Sequence, residues 1–191
     1  MKSDLKSFQE HPNYTRGRRS IRLKGYDYTQ AGGYFVTILT FQRECLFGKI
    51  FNGEMAVTSL GKIVLDCWDQ IPVHFSNAQT DAFVIMPNHV HGIIFIHESK
   101  SPILVRAQHA APLRGVAPNV KPGSLGAIVR SFKSAVTRRA GRELHTANIW
   151  HRNYFEHIIR DNEDYERIVG YIFANPANWN QDEDHPNNIV K

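Results

Sequence analysis

Two histidines spaced by one residue, and a tyrosine and an asparagine spaced by four, are the side chains in this 191-residue sequence best suited to chemistry. His89 and His91 lie in Met86-Pro87-Asn88-His89-Val90-His91-Gly92-Ile93-Ile94-Phe95-Ile96, a Pro-Asn turn that opens into an apolar strand. Successive strand side chains alternate faces, so both imidazoles point the same way, with Cα atoms about 6–7 Å apart. Such a pair can converge on one metal ion. Two ordinary histidines packed in a sheet would show the same pattern. Tyr171 and Asn175 fall on an expected helix whose apolar stripe is Tyr165, Ile168, Val169 and Ile172. At 100° per residue they sit about 20–60° outside one edge of that stripe and neighbour each other along one face. That sets a phenol partly free of the core beside an amide oxygen. Taken singly, an amphipathic edge residue and a C-terminal cap have commoner roles.

These residues need elements to position them. Tyr34 to Thr40 is an aromatic and β-branched run, entered through Gly32-Gly33, and its near-continuous apolarity suggests a central strand. Asn52-Gly53 between Cys45–Ile50 and Glu54–Val57 signals a type I′ hairpin, a small β-insert. Leu60, Ile63, Val64, Cys67, Trp68 and Ile71 form a helical stripe, with Ser59 as the expected cap and Pro72 as the stop. Asp81–Met86 is the next strand, turning at Pro87-Asn88 into the histidine strand. A long proline-bearing segment, 98–122, separates it from a second amphipathic helix capped by Ser124, with Leu125, Ile128, Val129, Phe132 and Val136 inward and Arg130 and Lys133 outward. Tyr154 to Arg160 reads as a fourth strand. The tyrosine helix then runs from about Asn162 to Ala174, and Asn175-Pro176 is expected to end it. The order β-α-β-β-α-β predicts an α+β, ferredoxin-like antiparallel sheet with two helices on one face and a C-terminal tyrosine-bearing helix.

The apolar fraction of 42% and charged fraction of 21% fit one soluble globular domain. No apolar run is long enough to span a membrane, and the polar first ten residues do not read as a signal peptide. Cys45 and Cys67 stand apart, as free thiols of a cytoplasmic protein do. The net charge of +5 is unevenly spread. Arg16, Arg18, Arg19, Arg22 and Lys24 make a basic arm over 1–25. Arg130, Lys133, Arg138, Arg139 and Arg142 load the second helix, and the chain from Asp161 to Asp184 is acidic. This pattern favours a nucleic-acid partner, and a solvated basic face is the plainer alternative. The expected division is the arm, a catalytic domain over 26–180 and a polar tail over 181–191.

Met86-Pro87-Asn88-His89-Val90-His91, followed by Trp150, Tyr154, His157, Ile159-Arg160 and Tyr171-Ile172-x-x-Asn175-Pro176, resembles the single-tyrosine transposases of the His-hydrophobic-His endonuclease superfamily. Among these it is most similar to the REP-associated tyrosine transposases. The resemblance spans about Gly25 to Trp179. It implies that His89 and His91 bind a divalent metal, Mg²⁺ or Mn²⁺, with Asn175 as third ligand where insertion-sequence relatives carry a glutamine. It also implies that Tyr171 is the nucleophile of a single-strand DNA endonuclease and strand transferase, leaving a 5′-phosphotyrosine on hairpin-containing DNA from palindromic repeats. Arg130, Lys133, Arg138, Arg139, Arg16, Arg18 and Arg19 are the candidate DNA contacts. The enzyme would act as a monomer or a homodimer, away from any membrane. A catalytically inactive, domesticated protein that binds structured DNA is the alternative. An RNA-binding ferredoxin-like module would need exposed sheet aromatics, which the Tyr34 and Asp81 strands do not offer.

Overall fold

The computed structural model of the chain describes residues 26–98 and 121–188. The whole expected arm, with Arg16, Arg18 and Arg19, and nearly all of the 98–122 segment lie outside the described residues. Four strands, β1 (Gly32–Leu39), β4 (Ala78–Ile85), β5 (His89–Ile96) and β6 (Phe155–Ile159), form one antiparallel sheet in the order β4-β5-β1-β6. Helices α1 (Ser59–Asp69) and α3 (Leu125–Leu144) join β1 to β4 and β5 to β6. This is the expected ferredoxin-like arrangement, with β1 central. A separate hairpin, β2 (Gly48–Phe51) and β3 (Glu54–Val57), turns at Asn52-Gly53, both with positive φ, as the sequence predicts.

The alternation of side chains divides the molecule into two cores. Tyr34, Val36, Ile38, Val90, Ile94 and Ile96 point toward α1 and α3 and pack with Leu60, Val64, Trp68, Ile128, Phe132 and Val136. Phe35 and Ile93 point the other way, with Ala82, onto Ile168 and Ile172 of α4 (Asn162–Ala174). Covered on both faces, β1 and β5 are apolar almost throughout, whereas the edge strand β4 alternates in its first half, with Gln79 and Asp81 exposed. Gly92 faces the first core, where a Cβ would stand 2.4 Å from the Trp68 ring. Only a glycine lets that indole lie flat on the histidine strand.

Three local expectations are corrected. Thr58, not Ser59, caps α1: its hydroxyl accepts from the Gly61 N–H at 3.1 Å and donates to the Leu46 carbonyl at 2.9 Å, tying the helix to the hairpin's entry. Pro72 does not simply stop that helix; it opens a second short one, α2 (Ile71–His74), which suits its fixed φ and missing N–H. Strand β4 begins at Ala78, before the expected Asp81, with an irregular register between Thr80 and Phe83. Helix α4 ends at Ala174, as expected, although Asn175 keeps helical angles (φ −60°, ψ −45°) before the proline. The chain therefore runs on into a 3-10 turn, Pro176–Gln181, that folds back toward the sheet.

Candidate metal–tyrosine site

Helix α4 docks on the histidine-bearing face of the sheet, in the same chain. His89 and His91 are buried, and their Nε2 atoms lie 3.0 Å apart. The Tyr171 hydroxyl is 3.4 Å from His91 Nε2. Phe35 stacks on the His91 ring and meets the Tyr171 ring edge-on, fixing the angle between strand and helix. Thr37, directly across from His91 on β1, places its hydroxyl 2.9 Å from His91 Nδ1.

The turn after α4 supplies a residue that spacing alone did not reveal. Trp179 packs over His89, with ring centroids 6.1 Å apart, and Asp182 follows it into the site. Asp182 Oδ1 accepts from the Asp184 N–H at 2.7 Å, and Oδ2 approaches His89 Nε2 at 3.8 Å. This approach is not an ion pair, because His89 is held neutral. Desolvation, then the His91 charge, then the Arg43 guanidinium lower its pKa well below the usual imidazole range, and desolvation brings His91 to about 3. Asp182 rises to about 6, chiefly through burial. Arg43, one residue into a turn where Gln42 and Arg43 both take positive φ, reaches Asp184 at 3.1 Å. The tryptophan was the available signal for Asp182: an indole in a polar stretch needs burial, and burying it carries its neighbours along.

This donor set fits a divalent ion. Two nitrogens each about 2.1 Å from a common ion at right angles stand about 3.0 Å apart. His89, His91 and Asp182 offer ligand atoms that all lie within 4.8 Å of one another. Asn175 Oδ1 is buried with no hydrogen-bond partner, an orphaned acceptor of the kind that a ligand would satisfy. Its amide also faces Tyr171 and favours the phenolate. Against it, burial first and then the charges of Asp182, Asp184 and Glu183 push the Tyr171 pKa well above that of an ordinary phenol. Two imidazoles with carboxylate and amide oxygens suit manganese better than an all-nitrogen set would.

The proposed DNA contacts on α3 are not brought to this site. Helix α3 lies on the opposite face of the sheet, where Arg138, Arg139 and Arg142 line a groove of about 560 Å³ against α1 and α2. Arg130 and Arg138 are exposed. Arg139 is committed to Asp66 (2.8 Å) and Glu143 (3.0 Å). Lys133 does not face outward as expected: its ammonium donates to the carbonyls of His151, Arg152 and Asn153, at 2.5, 3.3 and 3.4 Å. Those carbonyls end a loop with no secondary structure to satisfy them, so the lysine serves as their donor.

No family model matches the chain. It is 45% identical over 171 residues to an uncharacterised protein of Haemophilus influenzae, covering 87% of this chain and 92% of that one. It is 23% identical over 161 residues to a protein of the same organism named "Putative REP-associated tyrosine transposase", covering 79% and 73%. A REP-associated tyrosine transposase solved bound to a REP hairpin shares the fold, with a TM-score of 0.56, 20% identity, and coverage of 83% of this chain and 74% of that one. With the histidine strand, the tyrosine helix and their docking in place, the chain has the fold of a REP-associated tyrosine transposase and is similar in sequence to a protein named as a putative one.

Proposed function

We propose that this protein is a metal-dependent endonuclease and strand transferase acting on single-stranded, hairpin-containing DNA. The observation that carries the reading is the 3.4 Å approach of the Tyr171 hydroxyl to His91 Nε2, beside a second imidazole, within one chain. In the reaction, Tyr171 Oη attacks a backbone phosphorus, an Oη–P bond forms, and the P–O3′ bond breaks. The 3′-oxygen leaves with a proton, and the 5′-phosphate stays on the tyrosine. A phenol with an ordinary pKa near about 10 is a better leaving group than an alkyl alcohol, so a 3′-hydroxyl can later reverse the step and rejoin a strand. His89, His91, Asp182 and Asn175 would hold a divalent cation, Mg²⁺ or Mn²⁺, which supplies charge neutralisation for the phosphoryl oxygens. Arg130 and Arg138 are the candidate phosphate contacts on the helix face. Hairpin binding is carried over from the relative solved with a REP hairpin.

Incubation with Mn²⁺ and single-stranded oligonucleotides carrying palindromes from beside the protein's own gene is expected to give a denaturation-resistant protein–DNA adduct. Tyr171→Phe removes the adduct, and His89→Ala removes cleavage while hairpin binding persists. An adduct that survives Tyr171→Phe refutes the nucleophile. The second reading, a protein that binds structured DNA without cutting it, draws on the closure of the site: His89 is 0% exposed and His91 3%, with Trp179 laid over His89. Hairpin binding without cleavage in either metal would select it.

A further inference from the structure

We propose that Asn88 is a positioning residue that sets the tautomer of His89. The inference rests on the metal-site reading above. Asn88 is fully buried, and every hydrogen-bonding group of its amide is used. Nδ2 donates to the Arg43 carbonyl at 3.1 Å and to the Asp184 carbonyl at 2.6 Å, while Oδ1 lies 2.8 Å from His89 Nδ1. Two carbonyls can only accept, so the amide nitrogen must face them and the amide oxygen must face the imidazole. An oxygen there requires a proton on His89 Nδ1. His89 Nε2 is then left as a bare lone pair aimed at His91, the form a ligand needs.

Thr37 offers a comparable partner to His91: its hydroxyl lies 2.9 Å from Nδ1, where a hydroxyl can either donate or accept. The Asn88 amide also ties the site to the 41–44 turn and to the chain after α4, since its two acceptors come from those segments.

The test is long-range ¹H–¹⁵N NMR of the imidazole rings in the full-length chain, with His89 assigned by a His89→Gln variant. The protein in chelator is expected to show His89 protonated at Nδ1. Addition of Mg²⁺, then Zn²⁺, should shift the His89 Nε2 resonance and leave the proton on Nδ1. Asn88→Ala should leave His89 as a mixture of tautomers and weaken metal binding by roughly 10–100-fold, the usual effect of losing a partner behind a ligand. If that variant fails to fold, the wild-type spectrum decides alone. His89 protonated at Nε2 in the metal-free chain overturns the inference. So does an Asn88→Ala protein with an unchanged His89 tautomer and unchanged affinity. His89 protonated at Nδ1 with no response to either ion upholds the role of Asn88 and removes the metal reading instead.

Discussion

Tyr171 is a phenol that its surroundings keep protonated. Burial and three acidic residues oppose its ionisation, and the Asn175 amide works the other way. Asp182 thus has two opposed effects: its charge holds the phenol neutral, and the same charge is what would attract a cation between the imidazoles. If Asp182 is a ligand, Asp182→Asn lowers Mn²⁺ affinity by roughly tenfold or more in calorimetry, and Asn175→Ala lowers it as well. An unchanged affinity in either variant removes that residue from the ligand set. The imidazoles also set an acid limit on the metal-free fold. Their native pKa values lie below the unfolded value near about 6.5, so unfolding takes up protons and stability falls as the pH drops from there toward 3. The slope approaches about 1.4 kcal/mol per pH unit for each ring. Asp182, raised to about 6, has the opposite sign and offsets part of this between about 4 and 6. Urea unfolding in chelator across pH 4–7 should show the fall, and His91→Asn should flatten it.

Strand β5 carries two jobs because its faces are independent. Val90, Ile94 and Ile96 anchor it to α1 and α3, which frees His89 and His91 to be polar on the other side. Helix α4 can dock there because Ile168 and Ile172 meet Phe35 and Ile93, and Tyr171 lies beside that apolar stripe. On α3, the basic residues divide by employment, although in sequence they look alike. Lys133 holds a loop, and Arg138 is exposed. Lys133→Met is expected to destabilise the fold by about 1–3 kcal/mol in urea titration, through unsatisfied carbonyls, with no change in the salt dependence of DNA binding. Arg138→Ala should leave stability alone and reduce the log–log salt slope for single-stranded DNA by about 0.7. An unaffected slope would exclude Arg138 as a phosphate contact.

At the scale of the whole molecule, the histidines and the tyrosine meet within one chain, and the basic helix lies on the far face of the sheet. If that arrangement is the working one, mixing Tyr171→Phe with His89→Ala protein will not restore cleavage; recovery in the mixture would mean that two chains exchange their helices. The sheet was legible in the order of the elements, and the two-sided burial of β1 in its near-continuous apolarity, because a side chain's face follows from its position in a strand or helix. The pairing of His89 and His91 with Tyr171 and Asn175 came from the family resemblance, and with it the expectation that the tyrosine helix docks on the histidine face. The segment after Asn175 was not legible. A residue before proline ordinarily leaves the helical region, but Asn175 stays in it, and the continued turn returns Trp179 and Asp182 to the histidines. Nor could the sequence separate Lys133 from Arg138, or single out Asn88 as the group that orients His89. Sequence alone determined which residues share a face, since that depends on local geometry. Tertiary structure alone decided which polar groups meet, because each acquires its partner from a segment far along the chain, and only the closed fold brings those segments within hydrogen-bond reach.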